Sequence, residues 1–261
     1  MHADTDPPIK STALSFDILE TIHERGEATL PEVVDEFDRP KSTVHDHLAT
    51  LARMGYLVNE GGSYRLSLRF LNFGGGTRSR FHLFQVAEGK VRELARETGE
   101  HANLMVEEND KGVFLFKVKG AESVNLDTYE GMEVYLHTTA MGKAILAELP
   151  AAERDAIIER HGLPGATDNT ITDRARLDEE LEEVRERGYA IDNEERLPGI
   201  RCVAAPISTD DRVIGALSIS APRRRMSDER FEETIPDVVV QAANICEINL
   251  QTVETASENP A

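Results

Sequence analysis

Apolar positions recur at helical spacing through the first quarter of the chain. Leu14, Ile18 and Ile22 stand four apart and predict a helix over residues 11–25, with Ser11 or Thr12 able to cap its start and Gly26 able to end it. Thr29, Pro31 and Glu32 have the spacing of a capping box with proline in the first turn. They open a short helix to about residue 37 whose Val33, Val34 and Phe37 face inward. Asp38, Arg39 and Pro40 interrupt it and start a longer helix, on which Val44, Leu48 and Leu51 cluster within about 60° of one another. After Gly55, the runs 56–58 and 64–66 flank Gly61 and Gly62, which predicts a hairpin with a glycine turn.

Residues 68–73 hold Leu68, Phe70, Leu71 and Phe73, a short amphipathic segment, and Gly74, Gly75 and Gly76 follow. Each glycine penalises a continuous helix by about 1 kcal/mol, so a hinge is expected there. A helix over 81–98 comes next, ended by Gly99. From His101 the period changes. Strands are expected at 101–107, 113–119 and 124–127, with a hairpin turn at 109–112. Helices are expected at 139–148, 152–161 and 174–187, then strands at 188–192, 201–207 and 213–220, then a long helix from Asp228 that frays over 255–261. Uneven interleaving of strands and helices predicts a mixed α/β chain of the α+β class with an antiparallel sheet. The expected division is a small helical domain with its hairpin at 1–67, a linker helix and glycine-rich hinge at 68–79, and a larger domain at 80–255.

Composition narrows the function. No apolar run approaches the ~18–20 residues that span a bilayer, and the first residues are polar and acidic rather than signal-like. The expectation is a cytoplasmic protein with no membrane partner. Cys202 and Cys246 lie far apart, so neither a disulfide framework nor a metal site is indicated, and no cofactor is expected. The net charge is −19, of which residues 1–80 carry −3 and the remainder −16. DNA binders draw affinity from lysine and arginine meeting phosphates. Either this chain does not bind DNA, or it works in concentrated salt, where screening suppresses self-repulsion. The acid-heavy composition favours the second.

Two places carry candidate chemistry. The stretch 29–57 has the grammar of a helix-turn-helix reader. Small polar and basic groups collect at the start and on the open face of its second helix: Arg39, Lys41, Ser42, Thr43, His45, Asp46, Thr50 and Arg53. They suit phosphate and base-edge contacts, and Arg65 on the hairpin suits a wing. The plainer alternatives are a solvated helix face and an edge hairpin. His45 and His47 stand two apart and face differently, a poor metal pair. The second place is the helix expected from about Thr139, whose free N–H groups near Ala140, Met141 and Gly142 suit an anion, with Gly142 permitting close approach. Ala216, Ser218 and Ser220 share one strand face, as do Cys202, Ala204 and Pro206. Such faces suit a small polar molecule, or a packed helix. A thiol-hydrolase triad of His137, Asp192 and Cys202 is a further alternative. Cys202 sits among apolar residues, where cysteine is more often a small core side chain, and no residue is assigned as catalytic.

Taken in order, these motifs resemble the IclR family of transcriptional regulators over about residues 11–250. The resemblance rests on Ala13, Leu14, Ile18 and Leu19, the run 40–45 (Pro-Lys-Ser-Thr-Val-His), 48–51 (Leu-Ala-Thr-Leu) and 55–57 (Gly-Tyr-Leu). In the second domain it rests on 137–144 (His-Thr-Thr-Ala-Met-Gly-Lys-Ala), 188–195 (Gly-Tyr-Ala-Ile-Asp-Asn-Glu-Glu) and 199–207 (Gly-Ile-Arg-Cys-Val-Ala-Ala-Pro-Ile). It implies an N-terminal winged helix-turn-helix, a linker helix and a C-terminal GAF-like effector-binding domain. It implies homodimers or tetramers on palindromic double-stranded operators, and small organic acids as effectors: glyoxylate-like, sugar-derived or aromatic catabolites. The family's pocket positions fall on Ala140, Met141, Gly142, Asp192, Cys202, Ser218 and Ser220, with Leu126 and Met105 as further wall. Family members often carry Arg where this chain has Asp46, and Leu where it has His47. An acid there repels phosphate but can accept from cytosine N4 or orient Arg53. The expected function is ligand-responsive control of catabolic genes, without catalysis, in a salt-adapted organism such as a halophilic archaeon. The alternative is a small-molecule sensor that acts through a protein partner and does not bind DNA.

Overall fold

The structure, a computed structural model, describes residues 7–209 and 212–258, with side chains to residue 252. The chain divides into two compact units, Met1–Thr77 and Arg78–Ala261.

In the first unit, helix α1 (Lys10–Arg25) buries Leu14, Ile18, Leu19 and Ile22 on one face. Its cap position is Ile9 and no side chain caps it, so neither Ser11 nor Thr12 acts as the cap. Gly26 ends it with φ 77°, a conformation that favours glycine. Strand β1 (Glu27–Thr29) leads into α2 (Leu30–Asp35), where the Thr29 N–H donates to Glu32 Oε2 at 2.7 Å, closing the expected capping box. Helix α3 (Lys41–Arg53) starts after Pro40 and buries Val44, Leu48 and Leu51 against α1 and Val33. Strands β2 (Leu57–Glu60) and β3 (Ser63–Leu66) form the expected hairpin around Gly61 and Gly62. Sequence reading did not foresee β1. It pairs antiparallel with β3, and Ala28 and Tyr64 stand opposite each other in the core. A three-residue strand leaves too short a pattern to read.

Helix α4 (Arg69–Arg80) runs unbroken through Gly74, Gly75 and Gly76. Packing at its ends outweighs the glycine penalty. Arg69 lies over the Tyr56 ring at 4.6 Å, and Phe73 stacks on the same ring at 6.2 Å. Arg78 pairs with Glu130 and lies 4.9 Å from the Phe84 ring. Leu68 and Leu71 stay exposed.

In the second unit, α5 (His82–Thr98) precedes β4 (His101–Glu108) and β5 (Lys111–Val118). Their turn is tighter than expected. Asn109 and Asp110 alone make it, both at positive φ, and Lys111 and Gly112 already pair in the ladder. The expected strand at 124–127 is a loop, because the sheet edge is taken instead by a two-residue strand, β6 (Glu133–Val134). Then come α6 (Ala140–Glu148), α7 (Ala151–His161), α8 (Arg174–Arg187), β7 (Ala190–Asn193), β8 (Ile200–Ser208), β9 (Val213–Pro222) and, after a π-helical turn, α9 (Ile235–Glu258). The helix thus continues through 255–258, where fraying was expected; 259–261 lie outside the described residues, as does most of the acidic N-terminal run.

The six strands make one antiparallel sheet in the order β6-β5-β4-β9-β8-β7. Its two faces differ. Leu104, Val203, Ala205, Leu217 and Ile219 point to one side and pack with α5 and α9. Met105, Phe114, Ala204 and Ala216 point to the other and pack with α6, α7 and α8. This alternation is the period of two that the sequence carried. Helix α6 is buried on all sides, because it lies between the sheet and α8. Among the described residues no helix is long and apolar enough to cross a membrane.

Candidate nucleic-acid interface and effector cavity

Burying Val44, Leu48 and Leu51 turns the opposite face of α3 outward. Lys41, Ser42, His45, Asp46, Thr50 and Arg53 are all exposed there, as is Arg39 before the helix; Thr43 is half-buried. Ser15 Oγ and His47 Nδ1, 2.7 Å apart, tie α3 to α1, so His47 serves the fold rather than the open face. Asp46 has a side chain 81% exposed, and its nearest charged neighbour is His45 Nδ1 at 3.4 Å. It is not paired with Arg53, which stands about two helical turns along. Arg65 on the wing pairs with Glu60 at 2.7 Å. That pair is exposed enough to yield to a phosphate at little cost.

In the second unit, the inner sheet face and the start of α6 line a small cavity of about 30 Å³, well below ordinary ligand sites, so a guest larger than water needs the wall to give way. Its floor is a ladder of paired positions. Asn103 stands opposite Ser218, Ser220 opposite Cys202, and Cys202 opposite Asp192. The Asn103 amide donates to both Ser218 Oγ and Ser220 Oγ at 3.1 Å; Ser220 also bonds with the Cys202 sulfur, and the Ser218 hydroxyl hydrogen is left to be offered to a guest. Thr139, Ala140 and Met141 make one wall. Thr139 caps α6 by accepting the Gly142 N–H at 2.9 Å, so the N–H groups of Ala140 and Met141 remain for an anion. Phe114, Leu126, Leu197 and Ile200 supply apolar wall, and Arg196 and Thr128 complete the lining.

The site's electrostatics follow from burial. Asp192 is 2% exposed, and burial, then the nearby Glu195 charge, push its carboxyl up to about 7. Its Oδ1 accepts the Glu195 N–H at 2.7 Å. Burial also pushes the Cys202 thiol well above its ordinary range, so it stays protonated. His137 does not join them. Its Nε2 faces the Pro164 carbonyl at 3.0 Å, and it lines a different hollow with Tyr135 and His161. The hydrolase triad is therefore not assembled. No group of three His, Cys, Asp or Glu among the described residues is placed to hold a metal.

The model of the bacterial IclR C-terminal domain matches residues 76–247, and that of the IclR helix-turn-helix domain matches residues 13–61. The chain belongs to the IclR family. As an IclR-family member it is a DNA-binding transcriptional regulator with a C-terminal effector-binding domain. It is 34% identical over 250 residues to the probable HTH-type transcriptional regulator ArcR of Halobacterium salinarum, covering 94% of this chain and 95% of that one. The crystal structure of the Thermotoga maritima IclR superposes with a TM-score of 0.76 at 30% identity, covering 92% and 98% of the two chains. An IclR homologue from Microbacterium hydrocarbonoxydans, crystallised with 4-hydroxybenzoate, shares the fold at a TM-score of 0.78 and 24% identity, covering 93% and 99%. The family and its curated relatives are regulators of transcription, not enzymes.

Of the effector positions the IclR resemblance implied, Ala140, Met141, Asp192, Cys202, Ser218 and Ser220 line one cavity, with Leu126. Gly142 does not. Its N–H is taken by Thr139, and a Cβ there would collide with the Leu136 backbone, so its smallness serves chain packing rather than ligand approach. Met105 belongs to the core beside the cavity and presses on Gly112. Sequence reading missed Asn103 and Arg196. Asn103 could have been found as the one amide among apolar residues on an inward strand. Arg196 gave no signal, because its place depends on how the chain turns after β7.

Proposed function

We propose that the chain senses a small organic acid in the cavity at the start of α6 and converts its occupancy into a change of operator affinity. The carrying observation is the pairing of two unspent N–H groups at the α6 N-terminus with two serine hydroxyls whose oxygens are already occupied by Asn103. The two N–H groups and the Ser218 hydroxyl have hydrogens to give, and a carboxylate has lone pairs to receive them, while a further hydroxyl or oxo oxygen can also accept. The 4-hydroxybenzoate bound by the Microbacterium homologue is an acid of this kind. In this reading residues 1–67 read DNA through the α3 face and Arg65, residues 68–79 relay, and residues 80–255 sense. The exposed Leu68 and Leu71 favour a homodimer, or a pair of dimers, on a palindromic operator. The ligand shifts a population between two arrangements of the reading heads in proportion to its differential affinity for them. The acidic composition and the Halobacterium relative support a salt-adapted, halophilic source; catabolic genes are the targets this reading expects.

A thermal-shift screen against catabolic acids, followed by footprinting at the chain's own promoter with and without the hit, tests this. Protection of a palindrome that changes with the acid is expected. No stabilising acid, or protection indifferent to it, overturns the reading. The exposed Asp46 and the −3 charge of residues 1–80 favour a second reading, a sensor that works through a protein partner. Loss of regulation on removing a defined protein partner, with no footprint at any salt concentration, is the outcome that favours it.

A further inference from the structure

Arg196 is the one cation among the described residues that lines the cavity. Among the described residues it has no carboxylate within ion-pair distance. Its neighbours are poor partners for a charge: the Met132 sulfur, 3.4 Å from Nη2, and the Phe114 ring, 5.6 Å from Cζ. Burial presses its guanidinium below the usual range, opposed first by the Cys202 sulfur and then by Asp192 and Asp127, none of them an ion-pair partner. Arginine does not shed its proton. A half-buried cation with no carboxylate against it can pair with an anion that enters the cavity.

The placement is also rigid. Asp192 Oδ1 accepts the Glu195 N–H at 2.7 Å, and the Arg196 N–H also bonds toward that carboxyl. Glu194 takes φ 65°, its N–H donates to the Ile200 carbonyl at 3.0 Å, and its carboxylate accepts the Gly199 N–H at 2.8 Å. Glu195 is anchored to Lys143 on α6 at 2.7 Å. The turn after β7 is thus tied down on both sides, which fixes the backbone position from which the Arg196 side chain reaches the cavity.

We propose that Arg196 is the residue by which this cavity selects an ionised acid: it receives the carboxylate, while Ser218 and the Ala140 and Met141 N–H groups hold a second oxygen function. Asp192 is a positioning residue that shapes the turn. The ligand class is a hydroxy or oxo acid. This rests on the reading of the cavity as an acid sensor and names the group that reads the charge.

The test uses the full chain and matched pairs of acid and amide: glycolate and glycolamide, lactate and lactamide, pyruvate and pyruvamide, 4-hydroxybenzoate and 4-hydroxybenzamide. Affinities are measured by calorimetry at one pH and one salt concentration for the wild type, R196Q and R196K. The wild type is expected to prefer at least one acid to its amide by about tenfold or more. R196Q should weaken that acid by roughly ten- to a hundredfold, as expected for a hydrogen-bonded charge, and leave the amide nearly unchanged. R196K keeps the charge without the planar fork and should weaken the acid only severalfold. An unchanged acid-to-amide ratio in R196Q overturns the proposal. Should R196Q fail to fold, judged by its unliganded melting temperature and elution volume, a wild-type ratio in R196K overturns it equally. If the wild type binds none of the acids, the sensor reading itself falls, and this proposal with it.

Discussion

Lys143 Nζ lies 2.7 Å from Glu195 Oε1, with the lysine fully buried and the glutamate nearly so. Glu180 approaches the same ammonium at 3.4 Å and is held in turn by Arg187 at 2.9 Å. Among the described residues Glu195 Oε2 has no hydrogen-bond partner, and besides the lysine Oε1 accepts only the Asn193 N–H at 3.4 Å, so the carboxylate depends on the lysine. A buried pair adds little over well-packed apolar side chains, but breaking one leaves an uncompensated charge. Lys143→Met should therefore lower unfolding stability by about 3–5 kcal/mol, read from urea transitions. The double variant Lys143→Met with Glu195→Leu should recover most of the loss. A single variant as stable as the wild type would dispose of the argument.

Asp192 sets a pH dependence with a definite sign. Its ordinary value of 3.8 rises to about 7 on folding, so the folded chain holds this proton more tightly than the unfolded one. Stability from this group is then highest below about pH 4 and falls as the pH rises toward 7, where the proton is lost in both states. Asp192→Asn keeps an oxygen for the Glu195 N–H and removes the titration. The variant's stability relative to the wild type should grow between pH 4 and 7 and level off above. Parallel stability curves for the two proteins across that window would count against it.

Two glycines should respond to alanine with opposite signs. In an open helix the change gains about 1 kcal/mol. Gly75 in α4 has nothing within 4 Å of a built Cβ, so Gly75→Ala should stabilise α4 and slow amide exchange through it. At Gly142 the Cβ would strike the Leu136 carbonyl and Cα, which backbone cannot yield cheaply. Gly142→Ala should cost roughly 1–3 kcal/mol, as overpacked cores do. Melting temperatures that move the same way in both variants would contradict this.

The sequence was legible wherever the pattern is local. The stripe of Leu14, Ile18 and Ile22, the capping box at Thr29 and Glu32, and the alternation along β8 and β9 each follow from neighbours a few residues away. Legibility failed where distant partners decide. Val124 and Leu126 alternate like a strand, but the sheet has no free neighbour for them. That loop closes the cavity instead, with the Val124 carbonyl 2.6 Å from His101 Nε2 and Leu126 in the lining. Glycines 74–76 read as a break, and α4 is kept whole by rings and ion pairs beyond them. Arg196 and Lys143 are unremarked in sequence, since their meaning lies in a turn and in a carboxylate 52 residues away.

The α3 face makes the last prediction, because its charges work against each other. Lys41 stands exposed at the helix start, where a phosphate can reach it, and Asp46 stands exposed one turn on. Each phosphate contact contributes about −0.9 to the slope of log affinity against log salt. A reader whose residues 1–80 carry −3 has few free lysines and arginines to meet phosphates, and should show a shallower slope than basic relatives. On an operator located by footprinting, Lys41→Ala should weaken binding across all sequences and reduce the slope by about 1. Asp46→Asn should raise affinity for non-operator DNA by relieving repulsion. It should also lose discrimination at one base pair, if that pair places a cytosine N4 against the carboxylate, worth about 1–3 kcal/mol. Fluorescence anisotropy over a salt series measures all three. A steep slope that Lys41→Ala leaves unchanged would mean that this face does not carry the phosphate contacts.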